Sequence, residues 1–552
     1  MNIKYIVHFR RINFLIVLII DVLISSSNCW SQPIWKIDLQ GDCKGTGVIQ
    51  DYDPGYLVSA STSHLSYNPG KGKIFKTDIN GGIRYFIELK AESDFPLVLN
   101  TIAPASGNCF VVGGGITTDY TTTQPFIIRF NACKEIEWCR RFKFPYQEIQ
   151  CTDIVMDSTG NFLSLFTPTS GTSSIYVAKI SEQGGLIWMN QYCNGLTYRN
   201  PVITSIVPTH DGGCVLSGSN EIIPPGSTKY MPQPLWIKVD SSGIEGWNAS
   251  YIPTVPYYIW SGGTSTRGFE AANGMLYFAG SGGWGAYDAG CFYKLSQDGT
   301  QSVWHLVSPT LYTTSDISTT ILPLSENHLV LSNAYSPSSS LPTFVISKVD
   351  TNGSLLKRYS YWNDRFFAND AIKTADGKIL YCGYRITELQ PFEWYYLVSL
   401  EKYDQSLHGG DYDIIPRLYD SLCSVPITNT TISISDFCST LSLPDENVVK
   451  YLSRLLVFPD PADETISVAI PEYKISTNSW LYVDQYHYEP IEGILTINLY
   501  NLNGELVTTD SFDADNINHV MNVQEFPSGI YFLQLLANGK PIASSKFVIL
   551  HR

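Results

Sequence analysis

Apolar positions between residues 40 and 404 fall in short runs, separated by clusters of Gly, Asp, Asn and Ser. Residues 202–251 show the pattern: the runs are 202–207, 214–217, 235–239 and 244–251, rich in Val, Ile, Leu, Tyr and Trp. Short β-branched and aromatic runs bounded by turn formers predict strands joined by tight hairpins. No long segment carries the 3.6-residue period of a helix.

The runs repeat. A basic residue after an apolar run, with a turn behind it, recurs as Lys76, Arg129, Lys179, Lys238, Lys294, Lys348 and Lys402, at spacings of 50 to 59 residues. A small-residue turn precedes each, at 54–56, 106–108, 159–161, 211–213, 273–275, 326–328 and 376–378. Glycine stands five places after the basic slot in units one, three, four, five and six, marking one turn type between the third and fourth strands. The lysines are expected to lay their stems on the sheet and leave their heads in water. Seven units of four strands predict an all-β chain built on a seven-bladed β-propeller.

Trp138, Trp188, Trp247 and Trp304 share one slot per unit, Tyr85 replaces tryptophan in unit one, and unit six offers Lys357 and Tyr359. These rings are expected to pack between blades. Unit seven lacks its tryptophan, whereas residues 33–39 (PIWKIDL) resemble a fourth strand. They are expected to complete the last blade, which would otherwise leave unpaired edges.

Composition narrows the function. The net charge of −15 has the wrong sign for nonspecific nucleic-acid or anionic-membrane binding. Lys4, Arg10 and Arg11 precede an apolar stretch over 14–20 and 22–24, interrupted by Asp21 and followed by serines 25–27. So short a stretch cannot span a hydrocarbon core of ~30 Å, and residues 1–31 read as a cleaved signal peptide. Cys29 follows Asn28, a poor fit to a lipid-attachment motif, and no later segment is long and apolar enough to span a bilayer.

Export permits disulfides among the twelve cysteines. Cys423 and Cys438 bracket a Ser/Thr/Ile-rich segment and are the first expected pair; Cys133 with Cys139 is the second. Cys109, Cys214 and Cys382 lie in strand-like runs and read as small buried hydrophobes.

Alternation of strands puts both hairpin turns of each unit on one face and the long connections on the other. Trp260, Trp284, Tyr287, Trp362 and Trp394 fall on the long-connection side. Flat rings there suit sugars or peptide side chains, and packing within their own loops is the plainer alternative. Catalytic motifs are missing: no H-E-x-x-H, no G-x-S-x-G and no phosphate loop. Residues 280–285 satisfy G-x-G-x-x-G, but a strand follows where a dinucleotide site needs a helix. Residues 296–304 approach the Asp-box of sialidase-like propellers with the wrong internal spacing. The pairs Asp51/Asp53 and Asp411/Asp413 offer carboxylates for calcium without a complete loop. No metal or cofactor site is expected.

After a connector over 405–453 the pattern changes to alternating strands with proline and glycine breaks, which predicts a small antiparallel, immunoglobulin-like β-sandwich over 454–552. Val457-Phe458-Pro459-Asp460-Pro461-Ala462 leads into Thr465-Ile466-Ser467-Val468. Leu499-Tyr500-Asn501-Leu502-Asn503-Gly504 follows, then Phe526-Pro527-Ser528-Gly529-Ile530-Tyr531 and a terminal Lys546-Phe547-Val548. On these motifs the segment resembles the type A C-terminal sorting domain of the type IX secretion system of Bacteroidota. Asp460 stands where Asn is usual, and 471–493 read as an insertion. The resemblance implies export by a Sec signal and the type IX translocon, with the protein released or surface-attached after the domain is removed. Pro459, Pro461, Gly504, Pro527, Gly529, Tyr531 and Lys546 are its motif residues here.

The expected protein is therefore a secreted or surface-displayed propeller over 32–404, a non-catalytic binding or adhesion module for glycan or protein. Its alternatives are a hydrolase of polysaccharide or peptide with carboxylates gathered in the channel or cleft, and a surface protein without a small ligand.

Overall fold

The computed structural model describes residues 35–551 except 40–41, 63–69, 92–94, 120–121, 145–147, 170–174, 194–197, 224–229, 251–259, 285–286, 300–301, 307–315, 336–342, 362–365, 391–392, 410–411, 414, 435–436, 443–452, 455, 459–461, 470–472, 477–486, 491–493, 502–504, 514–517 and 538–539. The signal segment 1–31 and Trp362 lie outside the described residues.

Two compact units emerge, 1–442 and 443–552. Among the described residues, the first holds seven antiparallel four-stranded sheets, here blades 1 to 7. They span 43–90, 97–143, 149–192, 202–250, 260–306, 316–361, and 366–403 joined by Trp35–Leu39. The first strand of each blade contacts that of the next, and Phe366–Lys373 of blade 7 contacts Cys43–Gln50 of blade 1, which closes the ring. Trp35 lies opposite Lys402 and Leu39 opposite Val398 in the last blade.

Burial follows position in the blade. The third strand Ile175–Ile180 is buried at every residue, whereas the outer strand Glu245–Ser250 has no buried residue. Every first strand carries a bulge at the same level, at 45/47, 99/101, 151/153, 203/205, 265/268, 318/320 and 368/370. A bulge adds local twist and re-aims side chains, and this one recurs around the channel.

The tryptophans and turn glycines of the repeat fit each other across blade boundaries. Trp138 Nε1 donates to the Glu182 carbonyl (2.9 Å), Trp188 to Ser241 (3.0 Å) and Trp247 to Gln297 (3.1 Å), each in the next blade. A Cβ at Gly184, Gly243 or Gly299 would stand 2.7, 2.9 or 2.6 Å from those indoles, and one at Gly81 would stand 2.8 Å from Trp35. These glycines also hold φ between 71° and 86°, where side chains are strained. Units two and seven place Lys134 (φ 65°) and Leu407 (φ 64°) at the same point.

Residues 405–442 are part of the first unit. Thr430–Ser433 adds in parallel to the outer strand Ile83–Lys90 of blade 1, and Cys438–Ser442 to Ile136–Lys143 of blade 2. Each covers an otherwise open sheet edge.

The second unit is a sandwich. Its larger sheet runs Ser453–Arg454, Lys540–Ile549, Gly529–Ala537, Ile494–Asn501, Leu506–Asp513; the smaller runs Leu456–Phe458, Thr465–Ala469, Asn518–Asn522. Ile466, Val468 and Met521 meet Ile497, Leu499, Leu533 and Phe547 in one core. Within the expected insertion, Tyr473–Ser476 pairs with His487–Pro490 as a hairpin.

Candidate functional site

The basic slot departs from its expected form. Lys76, Lys179, Lys238 and Lys402 are buried, not solvated, because the turn between the first two strands brings a carboxylate over each head. Lys179 pairs with Asp157 (2.8 Å), Lys238 with Asp211 (2.8 Å) and Lys402 with Asp376 (3.0 Å). Counting positions could not reveal this, because the acid lies in a turn 22 to 27 residues upstream. Burial pushes these three carboxyls up, but the lysines, the hydroxyls of Thr159, Thr209 and Thr374, and, for Asp157 and Asp211, backbone N–H groups outweigh it and hold all three below the usual range. Carboxylates depressed on folding stabilise fully above the ordinary Asp value of about 3.9 and lose that contribution as pH falls through their folded values. An acid titration of stability should therefore show a steep limb below about pH 4, flattened in the triple variant Asp157→Asn, Asp211→Asn, Asp376→Asn.

Blade 1 elaborates this pair. Lys76 Nζ lies 2.5 Å from Asp51 Oδ2 and 2.5 Å from Asp53 Oδ1. Lys134, from the departing turn of blade 2, lies 2.8 Å from Asp51 Oδ2. Residues 412–427 dock here: the Asp420 amide donates to Asp53 Oδ2 (3.0 Å), Tyr85 OH donates to Asp420 Oδ1 (3.0 Å), and the Ile79 amide donates to Tyr419 OH (3.1 Å). Oxygens of Asp51, Asp53 and Asp420 lie within 4.8 Å of one another, the spacing of a cation site. Two lysine ammonium groups, Lys76 and Lys134, offset two of these three carboxylates, and Asp420 is held by the Tyr85 hydroxyl. The second acidic pair differs: Asp411 is outside the described residues, and Asp413 pairs with Arg417 (2.9 Å).

The disulfides correct the expectation. Cys423 bonds Cys133 and Cys438 bonds Cys139, so neither Cys423–Cys438 nor Cys133–Cys139 forms. Parallel pairing of Cys438–Ser442 beside Ile136–Lys143 sets Cys438 opposite Cys139, and docking of 412–427 brings Cys423 to the blade 2 turn. Cys214 and Cys382 are buried and unbonded, and Cys109 is partly exposed.

In the channel, two carboxylates that the sequence reading missed occupy the position after the bulge. Asp153 accepts the Ile206 amide of blade 4 (3.0 Å), and Asp370 accepts the Val48 amide of blade 1 (2.9 Å). Arg267 of blade 5 reaches Asp370 in an ion pair. Burial raises the Asp153 carboxyl, opposed by Arg267 and by its amide donors. Both acids thus tie a blade to its neighbour. Aligning the first strands would have exposed them, since the bulge pairs Asn100-Thr101, Thr152-Asp153, Thr204-Ser205 and Asn369-Asp370 are all small and polar.

Of the aromatics expected on the long-connection side, Trp260, Trp284 and Tyr287 have described backbones that meet at one end of blade 5: Trp260 pairs with Trp284, and Trp284 with Tyr287. Trp394 lies on blade 7 opposite Glu388, in a different blade from the other three. Blade 7 adds a cluster that the sequence reading overlooked. Phe367 stacks on Tyr384 (5.0 Å), Tyr384 meets Tyr396 edge-on (5.5 Å), and the Lys44 ammonium sits 4.2 Å from the Tyr396 ring centroid.

In the second unit, Tyr531 OH donates to the Pro527 carbonyl (2.8 Å) while its ring is buried, so the Pro-Ser-Gly-Ile-Tyr motif folds a corner onto itself. Gly529 opens the strand that follows, and Lys546 lies opposite Phe532 in the larger sheet. Pro459, Pro461 and Gly504 fall outside the described residues.

Residues 456–550 match the secretion system C-terminal sorting domain family. The chain is an all-β propeller protein carrying a type IX sorting domain at its C-terminal end. It is exported by that route, secreted or attached to the outer surface. No helix among the described residues is long and apolar enough to cross a membrane. No protein of curated function matches the chain in sequence. Among solved structures it is similar to a protein of unknown function from Bacteroides caccae (11% identity, 56% of this chain, 94% of that one, TM-score 0.33). It is also similar to one of unknown function from Dyadobacter fermentans (10%, 55%, 93%, TM-score 0.37). A third is the β-propeller domain of the Trilobed protease from Pyrococcus furiosus, described as having an open velcro topology (9%, 62%, 90%, TM-score 0.36).

Proposed function

We propose that the exported propeller is a non-catalytic binding or adhesion module that takes glycan or protein on its long-connection side. The observation that carries this reading is the state of the channel acids. Asp153 and Asp370 are held by backbone amides of the next blade, and Arg267 pairs with Asp370. A general acid and base must reach a substrate proton, and these two face their own scaffold. The backbones of Trp260, Trp284 and Tyr287 meet at one end of blade 5, and aromatic residues are the type that sugars and peptide side chains bind.

A glycan array probed with the exported protein, beside polysaccharide and peptide hydrolysis assays, tests the reading. Binding without turnover is expected, and Trp284→Ala should weaken it about tenfold, the effect of losing one anchoring aromatic. Turnover of any of these substrates would instead support a hydrolase and remove the proposal.

A further inference from the structure

We propose that blade 1 cross-links itself, forming an amide between Lys76 Nζ and Asp53 Cγ with release of one water. Other blades pair their slot lysine with one turn carboxylate. Among the described residues, Lys76 is the slot lysine that touches two, Asp51 and Asp53, both at 2.5 Å. Exclusion from solvent is nearly complete: the side chains are 0% (Lys76), 3% (Asp51) and 4% (Asp53) exposed. Asp211 and Asp376 are 46% and 28% exposed; Asp157 is 0% exposed, with Lys179 at 7%, so burial and the second carboxylate occur together at Lys76.

The surroundings suit acyl transfer to nitrogen. Asp53 Oδ1 accepts the Gly55 amide (2.8 Å) and Oδ2 accepts the Asp420 amide (3.0 Å). Backbone donors on an acyl oxygen stabilise the charge that builds there during attack. Asp51 touches the same ammonium and is itself held by Lys134, which keeps it placed to carry a proton. Fixing amine and acyl carbon side by side removes most of the entropic barrier to their reaction. Exclusion of water opposes reversal.

The step balances within the cluster. The Lys76 ammonium gives one proton through Asp51 to Asp53 Oδ1, and the freed amine attacks Cγ of the carboxylic acid so formed. The Cγ–Nζ bond forms and the Cγ–Oδ1 bond breaks. Oδ1, already protonated, leaves as water after Asp51 relays it a second proton from Nζ, while Oδ2 remains as the amide oxygen on the Asp420 N–H. One ammonium and one carboxylate become an amide and a water, and Asp51 returns to its pairing with Lys134. No oxidant or co-reactant enters.

Peptide mass analysis of the full-length protein, digested with trypsin after reduction, decides the matter. The expected product is a branched peptide joining the segments that contain Asp53 and Lys76, lighter than their sum by one water, with no cleavage after Lys76. Lys76→Arg should abolish it, and Asp51→Asn should reduce its yield at least tenfold while Asp53 and Lys76 are both still present. Recovery of the two segments unjoined, with cleavage after Lys76, from the unsubstituted protein would overturn the proposal without need of any variant.

Discussion

Deleting residues 33–40 should lower the melting temperature of the propeller sharply, and Trp35→Ala alone should reproduce much of the loss. Trp35 and Leu39 are both 0% exposed. Trp35 packs with Val58, Phe75 and Leu400 in the core shared by blades 7 and 1. It also covers the Gly81 turn of blade 1, as Trp138 covers Gly184. Truncating so large a buried ring typically costs about 3–5 kcal/mol. The deletion additionally frees the edge of Glu393–Tyr403, leaving unpaired amides and carbonyls that favour aggregation. Calorimetry of the full chain measures the first effect and light scattering on heating the second. A melting temperature unchanged by the deletion would mean that the strand does not hold the ring shut.

The second large effect concerns the two disulfides, and its mark is non-additivity. Cys133–Cys423 spans 290 residues and Cys139–Cys438 spans 299. In the chain-entropy description, closing a loop of that size restrains the unfolded chain by roughly 5–6 kcal/mol. Once one bridge exists, however, the other closes a ring made only of the short stretches 133–139 and 423–438, worth about 3 kcal/mol. Cys133→Ser or Cys139→Ser alone should thus destabilise by ~3 kcal/mol, and the pair together by ~9 kcal/mol, more than the sum. Denaturant unfolding without reductant gives these values. Equal, additive losses would show that the bridges restrain the chain independently, contrary to their interleaved arrangement.

What could be read from the residues was whatever repeats. Lysine, glycine and tryptophan slots recur at a steady spacing because every blade makes the same joint with its neighbour, so pattern alone exposed the all-β propeller. The sorting domain was legible for another reason: Phe526-Pro527-Ser528-Gly529-Ile530-Tyr531 contains both ends of the Tyr531–Pro527 hydrogen bond within five residues. Contacts made once, between distant segments, left no such trace. Cys423 lies 15 residues from Cys438 in sequence but 290 from its partner, and nothing local says that residues 412–427 fold back onto blades 1 and 2. The buried lysines were misjudged because a basic residue on a strand looks the same in sequence whether or not a turn carboxylate folds over it. Asp153 and Asp370 sit among threonines, serines and asparagines whose shared bulge appears only when strands are compared by register.

One consequence follows from the chain's path after blade 7. On its way to the C-terminal unit it is bolted to the perimeter at Cys139 through Cys438, four residues before Ser442. Tension applied to the tail during translocation, or later by whatever tethers it outside the cell, meets the Cys438–Ser442 strand on blade 2 first and is then held at that sulfur bond. The hydrogen-bonded seam between Trp35–Leu39 and Glu393–Tyr403 stays off the load path, so the toroid can be dragged by its tail without being unzipped.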